Sequence, residues 1–287
     1  MLKQYVEEIE LLLKEDKPIK KAWELSLKNL DFPIDKGVNK FLEILSDHEN
    51  LFFSRNPYHN QYHLAQTIYS VGYLAKQENI KLNPDAFLLL MAATFHDADH
   101  LGRTNKVELE LEKRSAYFFV QWWKNNSLFL DCFLNKKDIN FDQCMDVISD
   151  LILATDFNTL SSVVMSYNNH KDFEYKTLPI YKLKQLLIEA DSMMMVLPYY
   201  SLDKSRKILK ETNLNLNDYQ LWNFIQNFLN DFGKKTFCSD ASKKLELPKL
   251  IIELEHYIKN NLNKYGNIET FNNKEFEKDL LEYFKIE

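Results

Sequence analysis

The chain contains few of the residues that break helices. Its 287 residues include only 5 glycines and 7 prolines. Leucine, lysine, glutamate, asparagine and isoleucine dominate instead, and most of these favour helix. No stretch alternates apolar and polar residues for long enough to indicate a half-buried strand. We therefore predict an all-α fold, a compact multi-helix domain.

Other scarcities exclude whole classes of protein. The three cysteines, Cys132, Cys144 and Cys238, are widely spaced and form no C-x-x-C pair, which favours reduced thiols over a disulfide framework. No run approaches the roughly 18 apolar residues of a membrane helix, and the charged N-terminus does not resemble a signal peptide. We expect a soluble, cytoplasmic protein without a membrane partner, although an exported bacterial effector would share these features.

The charge balance disfavours binding to a nucleic-acid polymer. The formal net charge is −6, whereas neutralising phosphates requires a basic face. The 45% of hydrophobic residues is enough for a sizeable core. No Gly/Ser linker, low-complexity segment or repeat divides the chain, so we predict one domain over residues 1–287, with core motifs in 56–230 and C-terminal helices in 239–287. Helical periodicity predicts helices over 2–15, 37–53, 58–79, 84–97, 106–125, 142–155, 177–200, 218–232, 239–264 and 270–285.

Four of the seven histidines lie between residues 59 and 100. They form two pairs at i,i+4 spacing, His59 with His63 and His96 with His100, so each pair would share one face of a helix. A His-Asp dipeptide, His96-Asp97, ends the apolar run 86–95. Burying imidazole and carboxylate is costly unless they are paired or bind a metal. The pattern predicts a metal site, and such ligands suit Zn, Fe, Mn or Co, or Mg where carboxylate and water dominate.

These motifs carry a resemblance to a known family. In chain order they are His59-Asn60-x-x-His63, His96-Asp97-x-x-His100-x-Gly102-x-x-Asn105, Ile152-Leu153-Ala154-Thr155-Asp156 and Ala190-Asp191. Together they resemble the catalytic domain of class I 3′,5′-cyclic nucleotide phosphodiesterases, a branch of the HD-type metal-dependent phosphohydrolases, over roughly residues 50–230. The order of the blocks is also the family's order. Leu101 replaces the Pro of the family's His-Pro-Gly.

The resemblance implies two divalent metals, with Zn at the first site and Mg or Mn at the second. The ligands of the first metal would be His63, His96, Asp97 and Asp191, and Asp97 would bridge to the second. Hydroxide between the metals would attack phosphorus, and His59 would be the general acid. His100 would face the water shell of the second metal.

The resemblance also implies supporting and substrate-binding positions. Groups that orient the ligands would be Asn105, Thr155 and Asp156. The family holds its purine with a late Gln and an aromatic clamp, for which Gln226 and Phe228 are the nearest match and Gln220 is a rival. Tyr58 would border the substrate. Met194 stands where the family has an Asn that meets the base, and the Met193–Met195 triplet is typical of core packing.

The favoured function is hydrolysis of a small-molecule cyclic nucleotide, cAMP or cGMP, to the 5′-monophosphate. One alternative keeps the metals and changes the substrate to another nucleotide or phosphoester. A second alternative is an inactive binding module that keeps the fold. The complete set of ligands argues against the module, because a decayed site usually loses a ligand.

Overall fold

A computed structural model describes residues 1–52, 56–80, 84–126, 141–170, 179–265 and 271–284. Within these ranges there is no β-strand, which confirms the predicted all-α class. The helices are α1 Leu2–Leu12, α2 Pro18–Asn29, α3 Lys36–Phe52, α4 Gln61–Gln77, α5 Pro84–Phe95, α6 Glu110–Asn126, α7 Phe141–Leu153, α8 Leu160–His170, α9 Ile180–Val196, α10 Ser201–Glu211, α11 Asp218–Phe228, α12 Lys234–Thr236, α13 Asp240–Lys244, α14 Leu247–Tyr265 and α15 Asn273–Tyr283.

Helices α4, α5 and α9 form the centre of the fold. Helix α4 packs against α2, α5 and α9, and every residue of α5 from Ala86 to Phe95 is buried. A helix that is apolar on all sides needs neighbours on all sides, which explains its central place. The Trp23 indole of α2 donates a hydrogen bond of 2.9 Å to the Thr94 hydroxyl of α5 and so satisfies its buried N–H.

Several predicted boundaries are corrected by the structure. The sequence prediction missed α2, α8 and α10, and α2 begins with Pro18 at its first position. The predicted helix 239–264 is two helices, because the chain turns at Glu246, where φ is 58°. Cys132 lies outside the described residues.

Neither histidine pair shares one helix face, contrary to prediction. His59 precedes α4, because Asn60 is extended (φ −142°) and its side chain accepts the N–H groups of Tyr62 and His63 as an N-cap. His96 and His100 follow the end of α5 at Phe95, in a run of turns. The four imidazoles are therefore carried by two helix ends.

One segment of π-helix, Leu229–Gly233, continues α11. The predicted helix 218–232 is therefore α-helical only to Phe228. Gly233 packs closely here, since a Cβ atom would lie 3.2 Å from Ile251 Cγ2 and 3.5 Å from Val196 Cγ1. The wider π-turn places Phe228 and Phe232 in a ring stack on one side of the segment.

No described helix is by itself long and apolar enough to cross a membrane. Two consecutive segments, Asp142–Leu153 and Phe157–His170, reach the required length and apolarity only together, and they meet at an angle of 88°.

Candidate functional site

Four side chains from three parts of the chain converge on one point. His63 comes from α4, His96 and Asp97 from the turn after α5, and Asp191 from α9. His63 Nε2 lies 3.1 Å from Asp97 Oδ2 and 3.0 Å from Asp191 Oδ1. His96 Nε2 lies 3.1 Å and 3.3 Å from the same two oxygens. We call these four residues the ligand cluster.

The local structure aims the imidazole nitrogens of the cluster inward. The His96 Nδ1–H donates to the Ala93 carbonyl at 2.9 Å, which fixes the tautomer and leaves Nε2 as the free acceptor. Its Nε2 lies 3.4 Å from His63 Nε2. Asn60, the N-cap of α4, holds the first turn that carries His63. Both imidazoles are at most 2% exposed.

The electrostatics of the cluster fit a divalent cation. Burial would raise the pKa of the Asp97 and Asp191 carboxyls, but the adjacent imidazoles, His96 foremost, outweigh it and hold both pKa values well below the usual range. Burial would lower the pKa of His96, but the two carboxylates raise it. Two carboxylates and two imidazole nitrogens within 4.8 Å of one another are a ligand set suited to a tetrahedral or octahedral transition metal. The chemistry of these donors therefore fits a metal.

A second group lies beside the ligand cluster and is built around Glu211, the last residue of α10. Its Oε1 hydrogen-bonds to His59 Nδ1, and its Oε2 accepts the backbone N–H groups of Tyr58 at 2.9 Å and His59 at 3.1 Å. The His59 Nε2 lies 3.9 Å from Asp97 Oδ2, so this nitrogen faces the cluster. Burial would lower the pKa of His59, but Asp97 and Glu211 outweigh it and raise the pKa. His59 therefore retains its proton to higher pH than a free histidine.

His100 stacks on His59, with ring centroids 3.8 Å apart and planes at 29°. The Gly102 N–H donates to His100 Nδ1 at 3.1 Å, so this nitrogen is an acceptor and the ring is neutral when it accepts. Burial lowers the pKa of His100 to about 4. His59, His100 and Glu211 also lie close enough to hold an ion, but the hydrogen bonds occupy the lone pairs that it would need.

Gly102 has a local reason to be glycine. Its φ is +66°, and a Cβ atom would lie 2.5 Å from the Oδ1 of Asn56. Asn56 in turn donates from Nδ2 to the His100 carbonyl at 3.0 Å. Glycine at position 102 therefore allows Asn56 to approach closely and to hold the turn that follows His96 and Asp97.

The predicted orienting residues form a network at the cavity wall. The Asn105 amide donates to Glu112 at 2.9 Å and to Asp156 at 3.3 Å. Asp156 also accepts the Leu109 N–H at 3.1 Å and caps the turn that follows it. Thr155 donates to the Ile152 carbonyl instead, so it holds the end of α7. These hydrogen bonds hold this part of the cavity wall in place, and none of them involves a residue of the ligand cluster.

A cavity of about 550 Å³ opens beside the ligand cluster. The cluster carboxylates of Asp97 and Asp191 line it, as do Tyr58, His59 and Phe228. The Tyr58 ring lies 4.6 Å from the His63 ring. A pocket of this volume is of the size that takes a small organic ligand.

The structure places three residues that the resemblance associates with the base away from the cavity. Gln226 does not line the cavity, since its amide donates to the buried Glu255 at 2.7 Å. Gln220 forms a capping box with Asn217 at the start of α11. Met194 is 1% exposed in the core, where it accepts from the Tyr5 hydroxyl at 3.5 Å. Each follows from helix geometry, which turns the side chain away from the cavity.

The sequence prediction missed three residues of the site: Glu211, Phe157 and Phe232. Glu211 stands in no motif, and 152 residues separate it from His59. Phe157 follows the Thr155-Asp156 pair, which signals the neighbourhood but not the ring. Phe232 depends on the π-turn, for which the sequence shows no pattern.

Comparison with known proteins supports the motif-based resemblance. Residues 58–197 match the model of the 3'5'-cyclic nucleotide phosphodiesterase family. A human protein named high affinity cAMP-specific and IBMX-insensitive 3′,5′-cyclic phosphodiesterase 8A is 47% identical over 74 residues, and its mouse counterpart is 42% identical over 60. The matched segments cover 25% and 20% of this chain and 9% and 7% of those relatives, so the likeness is confined to a small part of them.

Solved structures extend the likeness to the whole fold. The phosphodiesterase domain of Salpingoeca rosetta rhodopsin phosphodiesterase superposes with a TM-score of 0.72 at 19% identity, covering 93% of this chain and 92% of that one. LmjPDEB1 in complex with IBMX gives a TM-score of 0.70 at 15% identity, with 90% and 91% covered. At these identities the structures show a shared fold. Over residues 58–197, a little under half of its length, this chain is similar to the 3'5'-cyclic nucleotide phosphodiesterase family.

Proposed function

We propose that the protein hydrolyses a 3′,5′-cyclic nucleotide to the 5′-monophosphate in a metal-dependent reaction. The observation that carries the proposal is the juxtaposition of the ligand cluster with a carboxylate-held histidine. His59 Nε2 and Asp97 Oδ2 lie 3.9 Å apart at one side of the same cavity. The family match over 58–197 supports this assignment.

His63, His96, Asp97 and Asp191 are the proposed holders of the first metal, for which we propose Zn. For the second we propose Mg or Mn, near Asp97. When bound, such metals supply Lewis acidity toward the phosphoryl oxygens and lower the pKa of water. The protein's own part is to present two carboxylates and two imidazoles without rearrangement, since His96 is fixed by Ala93 and the α4 turn by Asn60.

His59 is the proposed general acid. Hydrolysis adds the oxygen of water to phosphorus and breaks the P–O3′ bond, so the leaving O3′ alkoxide requires a proton. Glu211 accepts from the Nδ1–H of His59 and leaves the protonated Nε2 facing the cluster. A pKa raised by Asp97 and Glu211 keeps that proton available near neutral pH.

His100 is proposed to support His59 rather than to exchange protons itself. Its pKa of about 4 leaves the ring neutral at working pH, and its stacking contact limits the rotation of His59. Asn105 and Asp156 are proposed to fix the wall beside the cluster. The backbone N–H groups of Tyr58 and His59 both donate to Glu211. Tyr58 is proposed to border the ribose phosphate.

A hydrolysis assay tests the proposal. Protein purified without chelator would be supplied with Zn²⁺, Mg²⁺ or Mn²⁺ and given cAMP, cGMP and bis(p-nitrophenyl) phosphate. We expect both cyclic nucleotides to yield the 5′-monophosphate, and chelation to abolish the reaction. Cleavage of the p-nitrophenyl diester without cleavage of either cyclic nucleotide would instead indicate a phosphohydrolase with another substrate. That alternative has one observation in its favour, because Gln226 is turned out of the cavity.

A further inference from the structure

A lysine is buried between α10 and α4, close to the site. Lys204 of α10 is 5% exposed, and its Nζ donates a hydrogen bond of 2.6 Å to the Oε1 of Gln66 in α4, which is itself 1% exposed. No carboxylate among the described residues pairs with this ammonium, since the neighbouring Asp203 pairs with Lys207 at 2.7 Å. A positive charge is therefore buried against a neutral amide.

This arrangement costs the fold stability. A buried charge normally has an opposite charge beside it, because one neutral hydrogen bond does not offset the desolvation of an ammonium. Burial accordingly lowers the pKa of Lys204 to about 8, Lys207 lowers it further, and Asp203 opposes both. The Nε2 of Gln66 is also buried, without a hydrogen-bond partner among the described residues. A costly pair of this kind indicates a role other than stability.

Lys204 shares one face of α10 with Glu211, the residue that holds His59. The two are seven residues apart, with Ile208 between them at i+4, which is the spacing of a single helix face. Two turns of helix separate them by about 10 Å. Ile208 and Glu211 both line the cavity. The face of α10 that carries Lys204 therefore continues to the proposed site.

Both ends of this face contact the segment around Tyr58. The Nζ of Lys204 lies 6.0 Å from the centroid of the Tyr58 ring, at the limit of a cation–π contact. Glu211 Oε2 accepts the Tyr58 N–H at 2.9 Å. The bond to Gln66 and the bonds to Glu211 thus attach α10 to residues 58–66 at two points. Two attachments fix both the position and the rotation of a helix, whereas one attachment leaves it free to turn.

We propose that Lys204 is a positioning residue for the proposed general acid, His59. Its bond to Gln66 holds α10 against α4 and so keeps Glu211 on the N–H and the ring of His59. The inference rests on the proposed function, which gives His59 its role. Lys204 is not among the described residues that line the cavity, so it acts through Glu211 and does not touch the substrate.

Amide hydrogen exchange measures the hold of Glu211 without turnover. In the metal-loaded protein, Lys204→Met keeps the buried stem and removes the ammonium. We expect the N–H groups of Tyr58 and His59 to exchange on the order of tenfold faster, because Glu211 accepts both. Lys207→Met removes a half-exposed lysine of the same helix and should leave their exchange unchanged. Unchanged exchange in Lys204→Met would overturn the proposal.

A double variant guards against a general loss of folding. Lys204→Met combined with Gln66→Met replaces both partners by apolar side chains, a change that is nearly neutral or stabilising for many buried pairs. Its unfolding midpoint in urea should match or exceed that of the wild-type protein, while the N–H groups of Tyr58 and His59 still exchange faster. A folded double variant with wild-type exchange at both positions would overturn the proposal.

Kinetics test the link to the general acid. Lys204→Met should lower kcat for cyclic nucleotides by about tenfold and leave KM within about twofold. The loss should shrink for bis(p-nitrophenyl) phosphate, whose leaving group departs without a proton. In the Glu211→Gln background, Lys204→Met should cost no further activity, because the two residues act as a unit. Equal losses on both substrates, or losses that add in the double variant, would assign Lys204 a general structural role and overturn the proposal.

The two readouts separate this proposal from the proposed hydrolysis. Faster exchange at Tyr58 and His59 in Lys204→Met, in a protein that cleaves no cyclic nucleotide, would support the hold on Glu211 and refute the hydrolysis alone. Hydrolysis that Lys204→Met leaves unaffected, with unchanged exchange at the two N–H groups, would overturn the positioning role and leave the hydrolysis.

Discussion

The ligand cluster and the stacked rings of Phe157, Phe228 and Phe232, which we call the aromatic wall, border the same cavity but are held by different forces. In the cluster, hydrogen bonds fix both the ring of His96 and the turn of α4 that carries His63. In the wall, the rings of Phe157, Phe228 and Phe232 contact each other, and these apolar side chains have no group that can form an orienting hydrogen bond. Hydrogen bonds specify orientation within a few tenths of an ångström, whereas apolar packing tolerates adjustment.

The difference shows how one cavity combines a hydrogen-bonded cluster of potential metal ligands with an apolar wall. A metal and an in-line attack tolerate little displacement, and the proposed ligands lie at the start of α4, just after α5 and within α9. Binding of a base by stacking needs only a flat apolar surface. We therefore expect substitutions in the cluster to lower kcat steeply, and substitutions in the wall to raise KM moderately.

The largest effect is expected from Asp97→Asn. The change removes one carboxylate of the ligand cluster and the proposed bridge to a second metal, so activity should fall to background and both metals should be lost. Elemental analysis of the purified protein measures the metals directly. Asp99→Asn, two residues away, is the matched control, because Asp99 pairs with Arg114 at 2.6 Å and is 45% exposed. Full occupancy by both metals in Asp97→Asn would refute the bridging role.

His59→Ala should retain the metals and lower kcat by roughly 10²–10⁴-fold, the usual range for general acid catalysis. The loss should shrink for a substrate whose leaving group is p-nitrophenolate, because that group departs without a proton. His256→Ala removes an exposed histidine outside the site and serves as the control. Equal losses on good and poor leaving groups would assign His59 a positioning role instead.

Glu211→Gln should have a smaller effect, roughly 10- to 100-fold in kcat, as for other groups that orient an active side chain. Glu211 raises the pKa of His59, so its neutralisation should lower that pKa. The acid form would then be lost at lower pH, and the alkaline limb of the kcat/KM profile should move downward in pH. Asp203→Asn, on an exposed turn of the same helix, should leave the profile unchanged. An unmoved limb in Glu211→Gln would contradict the assignment.

The smallest catalytic effect is expected from Gln226→Ala. Its amide supports the buried Glu255, which Lys234 also contacts at 3.0 Å. Loss of a hydrogen bond to a charged group costs about 1–3 kcal/mol, so the free energy of unfolding should fall by that amount. KM for cyclic nucleotides should stay within about twofold. A larger rise in KM would place Gln226 with the base after all.

His96-Asp97 was recognisable as a candidate metal-binding pair because its signal is local in sequence, whereas His63 and Asp191 followed only from the family resemblance. His96-Asp97 ends a fully apolar helix, and a buried polar pair in that position needs a partner. Asn60 and Gly102 of the same motifs have backbone duties, one as an N-cap and the other at a positive φ. Residues whose role is set by the local backbone conformation can be recognised in a single sequence.

The residues that the sequence did not reveal depend on contacts between distant segments. Glu211 acts through His59, and only the packing of α10 brings them together. Phe232 depends on a π-turn, and helical periodicity predicted an α-helix there. The sequence likewise did not show that Gln226 faces Glu255. A small rotation of the helix decides which of its side chains line the cavity. The fold class, by contrast, followed from composition and from the absence of strand-like alternation.

The bond between Glu211 and the start of α4 also has a consequence for the order of synthesis. A growing chain that has reached residue 105 already contains three of the four proposed ligands. It holds neither Asp191 nor the carboxylate that orients His59, which is added 152 residues after that histidine. Fragments that end before α10 would thus carry the recognisable motifs without an oriented acid. The nascent protein therefore gains an oriented His59 only after Glu211, which belongs to no motif, has been added.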